Sequence, residues 1–475
     1  MRIFQIKWII CGVIAVVCHM DAKCGVKVRS VEKPRVVVLT DIAPCHIEPD
    51  DMESMVRLLV HADLLEIEAI IATGGWNSSG RDYPGGWMDS LYACLDAYGK
   101  DLPNLMKRSG QDGFLPLADE GKVQKVGYWP SLAYLRSRTM LGSKGLGVAR
   151  IGEKNDSEGS DLIIRLLQEK DERPLWILAW GGANTLAQAL WKMQRSYAPE
   201  KWKGMVEKLR VYTITDQDVG WGERKKHLLS SHYWMRKEFG KSLYFIWDES
   251  AWLTQNEIGS RNWGEYAKHV QGHGCLGRLY PKNKWGVEGD TPSFLHVLPV
   301  GLNDPSVPTH VGWGGFFRWG VSADGETSCY TNVDLKVKAA SRKYEEYFYP
   351  AVFNNFAARM DWAEEGKGNR NPVAYVGKDG RHGVISLAVK AGKTLVLDAS
   401  RSYDPDGDSL RYRWWILPEA GTYRNPVGIE GADTDKATIR IPADLGKDTV
   451  HLILEVADDG SPNLTSYRRV VLRAR

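Results

Sequence analysis

Residues 35–41 read RVVVLTD, and residues 48–62 read EPDDMESMVRLLVHA. The first run is apolar and rich in β-branched side chains, the pattern of a parallel strand buried on both faces, and it ends on the carboxylate Asp41. The second places Met52, Met55, Val56 and Leu59 on one face of a helix over residues 51–62. The same rhythm recurs downstream. Strands are expected at residues 67–72 (IEAIIA), 175–179 (LWILA), 209–214 and 243–246, with a helix at 184–194. Strand, loop, helix, strand is the order of a doubly wound, mostly parallel α/β sheet, here spanning residues 34–362 and closing on a long amphipathic helix at 342–362.

Beyond that helix the rhythm changes. The polar stretch EEGKGNRN (364–371) marks a linker at 363–371. Six short strands follow at 384–389, 394–397, 410–416, 437–441, 450–456 and 467–472, so residues 372–475 are expected to form an all-β immunoglobulin-like sandwich. The break suggests that this domain folds alone and is dispensable for chemistry.

A chain of 475 residues exceeds one ordinary core and accommodates both domains. Net charge is only +3 and no Lys/Arg block stands out, which excludes the electrostatic footprint of a nucleic-acid binder. The 19 tryptophans are more than a core requires. Indole rings stack on sugar faces, so a carbohydrate or glycoside is the expected partner, with most of the tryptophans serving as core or subunit contacts in a chain that can also form a homo-oligomer.

Arg2 and Lys7 precede the apolar run WIICGVIAVVC (8–18), an export signal over residues 1–22 with Ala22 a candidate cleavage point and Cys18 a weaker candidate for lipidation. The run is too short to span a bilayer, and no other segment is long enough, so the expected location is periplasmic, cell-surface or secreted. Cys45, Cys94, Cys275 and Cys329, with Cys24 at the margin, match no zinc spacing. They read as scattered thiols, with one disulfide as the alternative.

In open α/β sheets ligands bind beyond the carboxyl ends of the strands. Asp41, Glu48, Asp50 and Asp51 gather around the first such end. Clustered anions repel unless a cation neutralises them, and hard oxygen donors select Ca²⁺ or Mg²⁺. The alternative is that Asp50 caps its helix while the others are solvated.

Asp41, followed by Glu48-Pro49-Asp50-Asp51 and Ser54-Met55-Val56-Arg57, resembles the N-terminal aspartate motif of the nucleoside hydrolase superfamily. In particular it resembles the nucleoside-hydrolase-like domain of secreted bacterial proteins described as cellulose-binding. Residues 180–187 (WGGANTLA) are similar to the family's glycine-led strand-to-helix turn, and residues 288–294 (EGDTPSF) supply its late aspartate, Asp290. The resemblance implies a Ca²⁺ held by Asp41, Asp51, a carbonyl near Asn184, and Asp290. It also implies a water deprotonated by Asp41 for attack on an anomeric carbon, with inversion. Asp50, Glu48, Gln217, Asp218, Glu288, Trp76 and Trp313 are the expected substrate contacts, with His273, Trp285 and Arg318 as further rim candidates. Trp313 sits in a glycine-flanked loop that reads equally well as a packing corner.

Residues 41–47 (DIAPCHI) depart from the family in lacking a second aspartate and a glycine, which leaves Glu48 to assist and His46 as a leaving-group acid or a solvated loop side chain. In the second domain Asp398, Asp404, Asp406 and Asp408 resemble the start of polycystic-kidney-disease-type modules, and read as a turn before a Ca²⁺ site. The expected activity is that of an exported Ca²⁺-dependent glycosidase. A non-catalytic carbohydrate binder and an extracytoplasmic nucleosidase are the alternatives.

Overall fold

The computed structural model describes residues 32–42, 47–77, 86–219, 224–282, 284 and 286–475. The proposed leader at 1–22, His46, Cys24, Cys45 and Trp285 lie outside them. The first sheet holds β1 (Arg35–Thr40), β2 (Glu66–Ala72), β3 (Thr139–Leu141), β4 (Leu175–Ala179), β5 (Leu209–Ile214), β6 (Tyr244–Asp248), β7 (Arg318–Val321) and β8 (Ser328–Thr331). Their order is β3-β2-β1-β4-β5-β6-β8-β7, parallel throughout except for the β7–β8 edge pair.

The alternation of side chains along a strand explains the apolar runs. Val36 and Val38 enter the core on one face of the sheet, and Val37 and Leu39 enter the core on the other. Every residue of β1 is buried. The chain adds β2 and β3 on one side of β1 and then crosses to add β4, β5 and β6 on the other. The carboxyl ends of β1 and β4 therefore flank a topological switch point, where crossovers diverge and leave a crevice.

The helix predicted at 51–62 runs over Pro49–Leu59. Pro49 suits the first turn, because its missing N–H would have no helical acceptor there. The closing helix is longer than its apolar pattern suggests, spanning Leu335–Glu365 and ending at Gly366, whose φ of 67° is a conformation that glycine adopts without strain.

Seven strands form the C-terminal part: β9 (Ile385–Val389), β10 (Thr394–Asp398), β11 (Arg411–Ile416), β12 (Ile429–Glu430), β13 (Lys436–Arg440), β14 (Thr449–Ala457) and β15 (Thr465–Ala474). They make sheets of order β10-β13-β12 and β11-β14-β15-β9. Leu397 and Ile439 from the first sheet share one core with Trp414, Leu452 and Val470 from the second.

The expected linker is not a free tether. It begins as helix, Asn369 Nδ2 then donates to Asp458 Oδ1 at 3.0 Å, and Asn371 Nδ2 donates to the Thr465 carbonyl at 3.1 Å. Nor are the two parts energetically separate. Leu417, Ile453 and Tyr467 belong to the same apolar cluster as Trp313, Tyr344 and Phe348. Arg469, fully buried, donates to the carbonyls of Leu302 and Val311. Against the expectation of an autonomous second domain stands this shared core, which a compositional break does not reveal. Residues 31–475 form one compact unit.

Asp406 accepts from Arg108 Nη2 at 2.6 Å and from Arg370 Nη2 at 2.8 Å. Asp404 Oδ1 accepts the Asp406 N–H at 2.7 Å and Asp398 Oδ1 accepts the Ser400 N–H at 2.9 Å. These carboxylates shape turns and, through Asp406, tie the two parts together. Cys94, Cys275 and Cys329 are free thiols. Among the described residues no helix is long and apolar enough to cross a membrane.

Candidate active site

Asp41 follows the last residue of β1 and is 3% exposed. Its carboxylate lies between two backbone turns. A Cβ on Gly75 would fall 1.7 Å from Asp41 Oδ2, and one on Gly181 would fall 2.7 Å from Oδ1. The glycines after β2 and β4 thus make room for the carboxylate at the switch point. Gly75→Ala should therefore displace Asp41 and weaken binding of any divalent cation that the carboxylates hold by about 10-fold or more, of the order that lost positioning of a ligand costs. Calorimetric titration checks this, with circular dichroism confirming the fold.

The amino end of the Pro49–Leu59 helix delivers Glu48, Asp50 and Asp51, and ligand atoms of these three lie within 4.8 Å of one another. Thr40 Oγ1 donates to Asp51 Oδ1, and Asp51 and Asp290 are within hydrogen-bonding reach. Asp290 arrives from a distant loop as the residue before the Thr291–Leu295 helix. Gly289 beside it leaves only 2.9 Å between a hypothetical Cβ and Asp50 Oδ2.

All five carboxylates line one cavity of about 840 Å³. Trp76, Thr215, Gln217, Trp252, Asn256 and Lys284 form much of its remaining wall. Burial, followed by repulsion from Asp51, Glu48 and Asp50, holds the Asp41 carboxyl well above the ordinary carboxylate range. Burial pushes Asp51 up to about 8, with Asp50 adding to it and hydrogen bonds from Thr40 and Asp290 opposing it. Asp290 is raised by burial and then by Asp51, Asp50, Asp41 and Glu48. Asp50 is raised by burial against the N–H groups of the helix start. So many buried carboxyls in one cavity hold protons or share a cation.

Other expected contacts lie elsewhere. Glu288 is fully buried behind the cavity, where its Oε2 accepts from Arg57 Nη1 at 2.5 Å and its N–H donates to Glu53 Oε2 at 2.7 Å. Its backbone takes a φ of 58°. The Asn184 side chain is committed to Gly147, its Oδ1 accepting the N–H and its Nδ2 donating to the carbonyl, which does not bear on the backbone carbonyl expected near Asn184. Trp313 is 4% exposed and meets Tyr467 edge-on at 6.0 Å, so the packing-corner reading holds. His273 pairs with Asp361 and Glu364, and Arg318 donates to the Glu419 carbonyl beside the second domain. Asp218 turns from the cavity towards Ser231, whose N–H it accepts at 2.6 Å.

Sequence reading missed the helix Ala251–Arg261, which brings Trp252, Asn256 and Ser260 to the wall at a spacing of one turn. It also missed Thr215, held at φ 51° with Oγ1 donating to Glu249 Oε1 at 2.7 Å. The i, i+4, i+8 spacing of 252, 256 and 260 was the available signal.

A mostly parallel sheet thus carries an acidic crevice at its switch point. The model "Cellulose-binding Sde182, nucleoside hydrolase-like domain" matches residues 35–317, and "Cellulose-binding protein Sde0182, C-terminal domain" matches residues 394–474. The chain belongs to this Sde182 family. A solved structure described as a nucleoside hydrolase-related hypothetical protein from Saccharophagus degradans, associated with carbohydrate metabolism, is 36% identical with a TM-score of 0.79. That match covers 93% of this chain and 100% of the other. The solution structure of the PKD domain from KIAA 1837 protein matches 23% of this chain and 90% of its own at 23% identity, with a TM-score of 0.17 that supports no common fold. No curated protein matches the chain.

Proposed function

We infer that the cavity is the catalytic site of an exported, Ca²⁺-dependent glycosidase acting on a carbohydrate or glycoside. The observation that carries this reading is the convergence of Asp41, Glu48, Asp50, Asp51 and Asp290 on one cavity at the switch point. The donor set fits Ca²⁺, since every candidate is a carboxylate and Asp290 Oδ2 is buried with no hydrogen-bond partner among the described residues. Asp41, Asp51 and Asp290 would hold the ion, with Glu48 and Asp50 beside them. When bound, Ca²⁺ supplies Lewis acidity and a point of attachment for sugar hydroxyls.

The chain's own residues do the rest. Asp41, fixed between Gly75 and Gly181, accepts a proton from the attacking water at its carboxylate. The remaining carboxylates stabilise positive charge developing at the anomeric carbon. Trp76 and Trp252 offer indole surface for a sugar ring, and Gln217 and Asn256 offer amide donors and acceptors for hydroxyls. A non-catalytic carbohydrate binder has no need of this charge cluster, which costs stability whenever no cation is present.

That cost has a direction. In the metal-free protein the folded state keeps a proton on Asp51 that the unfolded chain loses near the ordinary carboxylate range. Stability from this neutral carboxyl is full below about pH 4 and is lost as pH rises towards about 8. The melting temperature of chelated protein should therefore fall between pH 5 and 8, and the rise produced by Ca²⁺ should be larger at pH 8. A Ca²⁺ effect that is absent at both pH values would contradict the assignment.

The function itself is tested with a panel of glycans, aryl-glycosides and nucleosides, with Ca²⁺ or with chelator. Product released only with Ca²⁺ supports the glycosidase, and binding without release under every condition overturns it. Release from nucleosides alone favours the nucleosidase.

A further inference from the structure

A second group of ligand atoms lies behind the cavity wall. Asp216 and Asp218 follow β5, and His232 lies in the first turn of the Ser231–Phe239 helix. One ligand atom from each falls within 4.8 Å of the others. His232 is fully buried, and neither ring nitrogen has a hydrogen-bond partner among the described residues. Its Nε2 is 3.8 Å from Asp216 Oδ1.

The two carboxylates share a pattern. Asp216 Oδ1 accepts the Ser230 hydroxyl at 2.9 Å and the Asp218 N–H at 3.1 Å, while its Oδ2 is buried without a hydrogen-bond partner among the described residues. Asp218 Oδ2 accepts the Ser231 N–H at 2.6 Å, while its Oδ1 is likewise buried without one. Each carboxylate is thus oriented through one oxygen and bare at the other, as metal ligands are when outer hydrogen bonds aim them.

We propose that Asp216, Asp218 and His232 bind a divalent first-row transition ion such as Zn²⁺, at a site separate from the Asp41 cavity. A charged imidazolium would donate to a carboxylate at about 2.7–2.9 Å, and 3.8 Å is too long for that bond. A neutral ring offers one bare nitrogen lone pair, the donor that a metal ion takes. An ion about 2.0–2.2 Å from one atom of each residue would take the imidazole lone pair and one oxygen of each carboxylate, since ligand atoms sharing it lie roughly 3–4.4 Å apart. The imidazole selects Zn²⁺ over Ca²⁺, for which all-oxygen sets are suited.

The ion would clamp the end of β5 to the Ser231–Phe239 helix. Gln217 stands between the two aspartates and lines the cavity, so the clamp fixes that side chain on the cavity wall. Asp218 Oδ1 also lies 3.0 Å from where a Cβ on Gly182 would sit, next to the Gly181 turn that holds Asp41.

The test uses tag-free full chain, stripped with chelator and equilibrated with Zn²⁺ under saturating Ca²⁺. Elemental analysis should find one Zn²⁺ per chain, retained in Asp41→Asn. His232→Gln and Asp218→Asn should each weaken Zn²⁺ binding at least 10-fold while keeping Ca²⁺ binding. Co²⁺-loaded wild type should show a paramagnetically shifted, exchangeable imidazole N–H resonance, a readout that survives if a variant does not fold. No Zn²⁺ in wild type, full Zn²⁺ in His232→Gln, loss of Zn²⁺ in Asp41→Asn, or no shifted imidazole resonance would each overturn the proposal.

Discussion

Asp41→Asn should lower turnover by about 10³-fold or more while leaving the fold intact, because it removes a general base, worth about 10²–10⁴-fold, and a ligand charge together. The amide is close in size to the carboxylate, so the space left by Gly75 and Gly181 still fits it. Steady-state rates at saturating Ca²⁺ measure the loss, and circular dichroism shows that the fold survives. Asp290→Asn should act differently. It leaves Asp41 in place, so Ca²⁺ affinity falls first and excess Ca²⁺ restores part of the rate. The double variant should be little worse than Asp41→Asn alone, since residues acting on one centre are not additive. Wild-type turnover in Asp41→Asn would contradict the assignment of the base.

The second large effect is on stability. A chain ending at residue 371 should be insoluble or melt far below the full-length protein. Truncation removes Leu417, Ile453 and Tyr467 from the core they share with Trp313, Tyr344 and Phe348. At about 1.5–3 kcal/mol for each buried side chain, the loss is of the order of the 5–15 kcal/mol that holds a typical protein folded. It also leaves the Leu302 and Val311 carbonyls without Arg469. Scanning calorimetry of both chains decides it. A soluble fragment with an unchanged melting temperature would show that the shared core contributes little.

The parallel strands are legible in the sequence for a physical reason. β1, β2 and β4 are buried on both faces and must be written as uninterrupted apolar runs, whereas β7 is largely exposed and carries no such pattern. Hydrophobic periodicity reports packing against an apolar core. The Ala251–Arg261 helix turns Asn256 and Ser260 to a polar cavity, so the same reading passes over it. Asp41, Glu48, Asp50 and Asp51 stand out because charge at a strand end is costly without a purpose, whereas Asp290 stands out only through the resemblance of residues 288–294 to a family motif. Glu288 stands two positions from Asp290 in sequence, but its side chain is buried against Arg57 and does not line the cavity. Asn184 and Trp313 are polar or aromatic for packing reasons that only the partners Gly147 and Tyr467 disclose.

The interface explains why the second part reads as separable. Its contacts to the first are made by isolated side chains such as Tyr467, Arg469 and Asp406, spread over strands and turns whose local patterns are those of a free-standing β domain. No periodic signal records a docking face built this way.

Anomalous diffraction from a crystal grown with Ca²⁺ tests most directly whether Asp41, Asp51 and Asp290 share one ion. One strong peak is expected, with oxygens of these three carboxylates about 2.3–2.6 Å away. No peak in that cavity at saturating Ca²⁺, or Asp41 and Asp290 carboxylates more than about 8 Å apart, would contradict it.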